Sequence, residues 1–246
     1  MKALLRLLGL VLLAGLALQV YFVARIALMA VVDPESTAFQ RSEAWLVARH
    51  TGSLKWRQQW VPYANLPDNL KRAVIASEDA SFIEHEGVDV EALEKAWEKN
   101  SRAEQRAAQS ANQFSAGKAG AKPSKIVGGS TITQQLAKNL FLSGERTLLR
   151  KGQELLLTLL LEALLDKQRI LEIYLNSVEW GEGIFGAEAA AQHSYRKPAA
   201  RLSAYESARL AVMLPRPKYF ETRAGSGYLA SRASTITARM IGVEVP

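Results

Sequence analysis

The stretch RTLLRKGQELLLTLLLEALLDKQRILEIYLN, Arg146 to Asn176, decides the fold class. It consists largely of strong helix formers, which predicts two helices or one long bent one. Its apolar centre, Leu155 to Leu165, is too short and too closely flanked by charge to span a bilayer, so it reads as core. Upstream, GGSTITQQLAKNLF (Gly128 to Phe141) gives a glycine turn and a helix start, with Thr131 and Gln134 fitting a capping box and Ser130 a competing cap. Downstream, LSAYESARLAVMLPRP repeats the grammar: Ser203 and Glu206 form a box and Pro215 stops the helix. SGYLASRASTITARMIG, from Ser226, reads as a last helix.

Further upstream, LPDNLKRAVIASEDASF (Leu66 to Phe82) also has helical spacing. Pro67 suits the first turn, and Leu70, Ala73, Val74, Ser77, Glu78, Ser81 and Phe82 fall on one stripe, which turns Glu78 inward. A second helix is expected through VEALEKAWEKN, from Val90. Ser101 to Val127 is polar and rich in Ala, Gly, Ser and Gln without an apolar period, and reads as a mobile loop. No β-rich segment or internal repeat is visible, so the part beyond the N-terminus is expected to be mainly α.

Length and composition, 246 residues with 48% hydrophobic and 22% charged, are those of a globular chain of one or two domains. A net charge of +7 points to an anionic partner: a phosphate-bearing ligand, an acidic membrane surface or a nucleic acid. The absence of cysteine excludes a disulfide framework, a cysteine nucleophile and a thiolate metal site. At the N-terminus, Lys2 and Arg6 precede an apolar run from Leu7 to Val23, interrupted only by Gln19 and resuming after Arg25. A spanning helix needs about 20 apolar residues, and Arg25 can snorkel to the outer interface. The run therefore reads as an uncleaved single-pass anchor, its basic tip in the cytoplasm and the remainder outside. A cleaved signal peptide fits less well, because the run exceeds an h-region and no small-x-small site follows.

Three patterns mislead. GEGIFG, Gly181 to Gly186, satisfies a dinucleotide fingerprint with Glu206 downstream, but no buried strand precedes it. SAGK, Ser115 to Lys118, matches a transpeptidase motif without its partner motifs. His85 stands between Glu84 and Glu86, yet no H-x-x-x-H spacing exists and His50 and His193 are isolated.

The chemistry-bearing residues fall into three groups. Glu78, Phe82 and His85 lie at i, i+4, i+7, so on a continuous helix a carboxylate shares a face with a ring and an imidazole. An apolar neighbour raises a carboxylate's pKa toward the range of a general base, although a plain ion pair with lysine or arginine fits the spacing equally well. Thr131, Gln135 and Lys138 form a polar stripe whose hydroxyl, amide and ammonium suit a sugar and a phosphate. Arg150 and Glu154 stand one helical turn apart with Lys151 adjacent; the bland reading is a surface pair contributing about 0.3–0.5 kcal/mol.

The ordered motifs EDASFIEHEG, GGSTITQQLAKN, RKGQE and KQRILEIYLN, followed by GIFGAEAAAQHSYRKPAARLSAYESARLAVMLPRP, resemble those of the peptidoglycan glycosyltransferase family over most of the chain beyond Leu66. The resemblance implies a lysozyme-like, bilobed α fold with a donor cleft, occupying residues 66–246 behind an anchor (1–32) and a juxtamembrane segment (33–65). It implies polymerisation of lipid II into β-1,4-linked glycan with inversion, at the periplasmic side of the bacterial inner membrane. By residue, it assigns Glu78 as general base and Glu154 as the second essential carboxylate. Lys138, Arg150 and Lys151 become cations around the donor diphosphate. Ser130, Thr131, Gln134, Gln135 and Asn139 are placed at substrate, and Asp79, Phe82 and His85 shape the site around Glu78. A divalent ion such as Mg²⁺ near the diphosphate and Glu154 is also implied, without any required cofactor, and so are partners in the division or elongation machinery; nucleic acid is not an expected partner. The rival from the same chemistry is a lysozyme-like, glycan-cleaving enzyme.

Overall fold

A computed structural model describes residues 1–113, 129–142 and 147–246. In chain order the helices are α1 (Lys2–Met29), α2 (Ala38–Thr51), α3 (Asp68–Glu78), α4 (Val90–Gln113), α5 (Ile132–Phe141), α6 (Leu148–Leu164), α7 (Lys167–Ser177), α8 (Ala187–Tyr195), α9 (Ala204–Met213), α10 (Pro217–Glu221) and α11 (Gly227–Arg239). Three very short strands accompany them: β1 (Arg57–Gln58), β2 (Glu179–Gly181) and β3 (Ile184–Phe185).

α5 and α7 occupy the middle. Ile132, Leu136, Ile170, Leu171 and Tyr174 are fully buried there, so these helices have little solvent face among their apolar positions. α3 packs between α9 and α11, with Leu70, Ala73 and Val74 turned inward. The helix starts follow the expected capping chemistry. Thr131 and Ser203 each accept a bond from the third following backbone N–H while Gln134 and Glu206 return one, and Asp166 caps α7. Thr131, not Ser130, is thus the cap of α5.

Four expectations change. The helix from Asp68 stops at Glu78, because Asp79 adopts φ −162°, ψ 76° and turns its carboxylate to other partners. Residues 101–113, expected to be loop, continue α4 as helix; the rest of that stretch, SAGK included, lies outside the described residues. The leucine run is only half core: Leu157 and Leu161 are fully buried, whereas Leu155, Leu156 and Leu159 are 41–48% exposed. A three-stranded sheet also exists, in the order β1-β3-β2, with β1 parallel and β2 antiparallel to β3.

That sheet explains GEGIFG. Gly183 turns the β2–β3 hairpin at φ +71°, and a Cβ there would lie 2.5 Å from the Lys55 carbonyl oxygen. Gly186 at φ +81° would set one 2.6 Å from the Asn176 oxygen. The glycines permit backbone contact and cradle no phosphate. Through this sheet, and through Gln40 of α2 donating to the Ser177 carbonyl at 3.0 Å, residues 33–65 pack on the domain that follows.

α1 is long and apolar enough to cross a membrane, and its first half projects exposed from the rest of the chain. Its last turns do not project: Phe22, Ile26 and Met29 are 8%, 0% and 4% exposed within the core.

Candidate active site

Glu78 closes α3, and its carboxylate oxygen accepts a 3.0 Å bond from the Gln135 amide of α5. The Gln135 carbonyl in turn accepts the hydroxyl of Tyr174, a fully buried residue of α7, at 3.0 Å. Because the tyrosine donates to the oxygen, the amide must present its NH₂ to Glu78. Ser77 adds a longer bond of 3.5 Å. Among the described residues Glu78 has no ion-pair partner, so the salt-bridge reading of this position falls away. Burial pushes its carboxyl above the ordinary glutamate value; the bonds from Gln135 and Ser77 oppose this and the Asp79 charge adds to it.

Asp79 and His85 fasten the turn after α3. Asp79 is buried, one oxygen accepting from the Ile132 N–H at the start of α5 (2.9 Å) and the other facing His85 Nε2 (2.9 Å). The Gly87 N–H donates to His85 Nδ1 at 3.1 Å, which leaves the ring proton on Nε2 to bond Asp79. Thr131 then donates to the Gly87 carbonyl at 2.6 Å. A carboxylate at the N-terminus of α5 is also favoured by the helix dipole. Phe82 is fully buried, with Lys167 4.6 Å above its ring. Phe82 and His85 therefore reach the Glu78 region through a turn, not along the helical face that the spacing suggested.

α5 carries the second cluster one turn further on. Lys138 stands beside Arg150, Lys151 and Glu154 of α6. Glu154 is 4% exposed, bonded by Arg150 at 3.0 Å and by Lys151. Lys138 is held below the ordinary lysine value, first by partial desolvation and then by the Arg150 and Lys151 charges, against the pull of Glu154. Three cations thus share one carboxylate, and among the described residues the buried Arg150 Nε has no acceptor.

The polar stripe of α5 is divided by the fold. Thr131 and Gln134 are buried and committed to the helix start, Gln135 faces Glu78, Lys138 is exposed on the side facing α6, Asn139 is buried, and Ser130 is exposed at the entrance. A cleft of about 370 Å³ opens on Glu78, Ser130 and Thr131 and is also lined by Lys95 and Lys99 of α4 and Arg239 at the end of α11. A larger hollow of about 650 Å³ lies near β1 and β3, but Lys55 and His193 tie its acids Glu182 and Glu221.

Sequence reasoning missed Tyr174, Lys99 and Arg239. Tyr174 sits in an apolar-looking segment, and nothing in its spacing reports that its hydroxyl meets Gln135, 39 residues away. For a metal, Glu154 has both oxygens occupied by cations, and the described residues hold no group of three His, Asp or Glu side chains fit to bind one.

A mainly α, lysozyme-like domain with a half-buried carboxylate at a cleft and a cationic cluster beside it is the architecture of a glycan-processing enzyme. Residues 47–241 match the family model described as transglycosylase. The chain is 55% identical over 233 residues, 95% of its length and 84% of the relative's, to the biosynthetic peptidoglycan transglycosylase of Burkholderia thailandensis. The proteins of the same name from Burkholderia pseudomallei and Burkholderia orbicola are 53% and 52% identical over the same share of this chain, covering 84% and 87% of their own lengths. The chain belongs to the transglycosylase family.

Proposed function

We propose that this protein polymerises peptidoglycan glycan from lipid II, held by a single-pass anchor with its catalytic domain on the outer face of the bacterial inner membrane. Glu78 takes the proton from the GlcNAc 4-hydroxyl of the acceptor. The freed oxygen bonds to MurNAc C1 of the donor as the bond from C1 to the diphosphate oxygen breaks. Undecaprenyl diphosphate leaves, and the linkage changes from α to β, which requires base and leaving group on opposite faces of the ring. Lys138, Arg150 and Lys151 neutralise the charge that develops on the diphosphate. Glu154 holds Arg150 and Lys151 in place.

The observation that carries this reading is the division of labour along α5. Gln135 holds a desolvated carboxylate that has no cation partner among the described residues, and three residues later Lys138 joins a cation cluster. A base near neutral pH needs the first environment, and a departing diphosphate needs the second. The test is incubation of the purified protein with lipid II and, separately, with finished glycan. Long glycan from lipid II is the expected product; cleavage of finished glycan without synthesis would overturn the assignment in favour of a hydrolase.

A further inference from the structure

Gln19, the polar interruption of the apolar run from Leu7 to Val23, has a partner. Its amide nitrogen donates to the Gln153 oxygen of α6 at 3.1 Å, and the Gln153 nitrogen donates back to the Gln19 oxygen at 3.2 Å. The two amides satisfy one another reciprocally. Three residues later Phe22 meets Phe141 edge-on at 5.3 Å, then Ile26 and Met29 enter the core, so Gln19, Phe22, Ile26 and Met29 form one helical stripe against the domain. At the far end Arg169 of α7 donates to the Met29 carbonyl at 2.7 Å and pairs with Asp33 at 2.7 Å.

If the hydrocarbon begins near Leu7, after Lys2 and Arg6, a span of about 30 Å at about 1.5 Å per residue ends near Ile26. Gln19 then lies about 18 Å in, within the outer half of the hydrocarbon. An unpaired amide there is strongly disfavoured, so its partner must be at the same depth. That places part of α6 in the outer leaflet, and the exposed Leu148, Leu149, Leu155, Leu156 and Leu159 give it a surface suited to lipid.

We propose that Gln19 and Gln153 form a docking latch that fixes the catalytic domain to its anchor in one register. Gln153 precedes Glu154 and follows Arg150 and Lys151 on α6, so the latch sets the height of the cation cluster relative to the bilayer. This inference rests on the lipid II reading: a lipid-held substrate presents its diphosphate at a fixed height, and the latch holds the cation cluster at one height relative to it. Gln19 and Gln153 are positioning residues, with no contact to reacting atoms required.

Two measurements test it in the full-length protein. A photoactivatable benzophenone side chain at position 19, irradiated in membrane vesicles, is expected to yield adducts on the peptide bearing Gln153. The same probe at the exposed Val20, about 100° around the helix, is expected to yield lipid adducts. Lipid adducts alone from position 19 overturn the latch. In the second, Gln19→Leu and Gln153→Leu are each expected to lower kcat/KM for lipid II in liposomes by about threefold to tenfold, the scale of one interhelical polar contact. The double variant should lose no more than the worse single, because both remove one interaction. Rates on a short-chain lipid II analogue in detergent should stay within about twofold of the parent, since no bilayer then sets a depth. Parent-like rates in liposomes, or equal losses on both substrates, overturn the positioning role. A parent protein that makes no glycan at all removes the functional reading, and the crosslink then still decides whether the anchor is docked in this register.

Discussion

Replacing Glu78 with glutamine separates catalysis from folding at this site. The amide is nearly isosteric, and its carbonyl can still accept the Gln135 NH₂, so the Tyr174–Gln135 relay has no reason to change. A carboxyl raised by burial binds its proton more tightly in the folded chain than in the unfolded one, so ionised Glu78 opposes folding at neutral pH. Glu78→Gln is therefore expected to leave the melting temperature unchanged or higher. Catalysis should collapse. A positioned general base contributes about 10²–10⁴-fold, equivalent to about 3–5.5 kcal/mol of transition-state stabilisation, and glutamine supplies none of it. The assay is glycan synthesis from labelled lipid II at saturating substrate, beside a thermal melt. The parent's rate should also fall with decreasing pH through a midpoint above the ordinary glutamate value, because protonated Glu78 cannot accept the acceptor's proton. A variant that melts like the parent and polymerises within tenfold of its rate would refute Glu78 as the base.

Three further outcomes follow from the geometry. Tyr174→Phe leaves the Gln135 oxygen without its donor and frees the amide to flip; it should cost about 1–3 kcal/mol of stability in a denaturant titration and lower kcat about fivefold with KM little changed. Asp79→Ala strands the Ile132 N–H and the His85 imidazole together, so about 2–6 kcal/mol should be lost in the same titration. Glu179, buried at the start of β2, is pushed up to about 7 by burial despite Lys218 at 3.3 Å. Its folded value lies above its unfolded one, so its contribution is fully present below the ordinary glutamate value and is lost as pH rises toward 7. Glu179→Gln should remove that part of the slope when melting temperature is followed between pH 4.5 and 7.

The helices were legible because capping chemistry and apolar period are local. Thr131 with Gln134 and Ser203 with Glu206 form in the fold the boxes their spacing announced, and Arg150 reaches Glu154 as an i,i+4 pair does. The end of α3 was not legible. Helical spacing runs on to Phe82, but Asp79 gains a buried backbone N–H from a helix 53 residues away, and that contact breaks the period. The continuation of α4 through Gln113 was hidden for a different reason, since beyond Asn100 its less polar face is marked only by alanines, which are too small and too common in polar segments to stand out as a stripe. The short strands escaped because two or three residues carry no period-2 signal.

By itself the sequence determined a mainly α chain behind an apolar N-terminal helix, the order of its motifs and the residue types available for base and cation work. Local propensity and spacing suffice for those. Only the tertiary structure decided what each of these residues meets. It left Glu78 without a counter-ion among the described residues and with Gln135 oriented by Tyr174, committed Thr131 and Gln134 to a helix start, and paired Gln19 of the anchor with Gln153. Contacts between residues tens to more than a hundred positions apart depend on how helices cross, and side-chain spacing along one helix carries no record of that crossing.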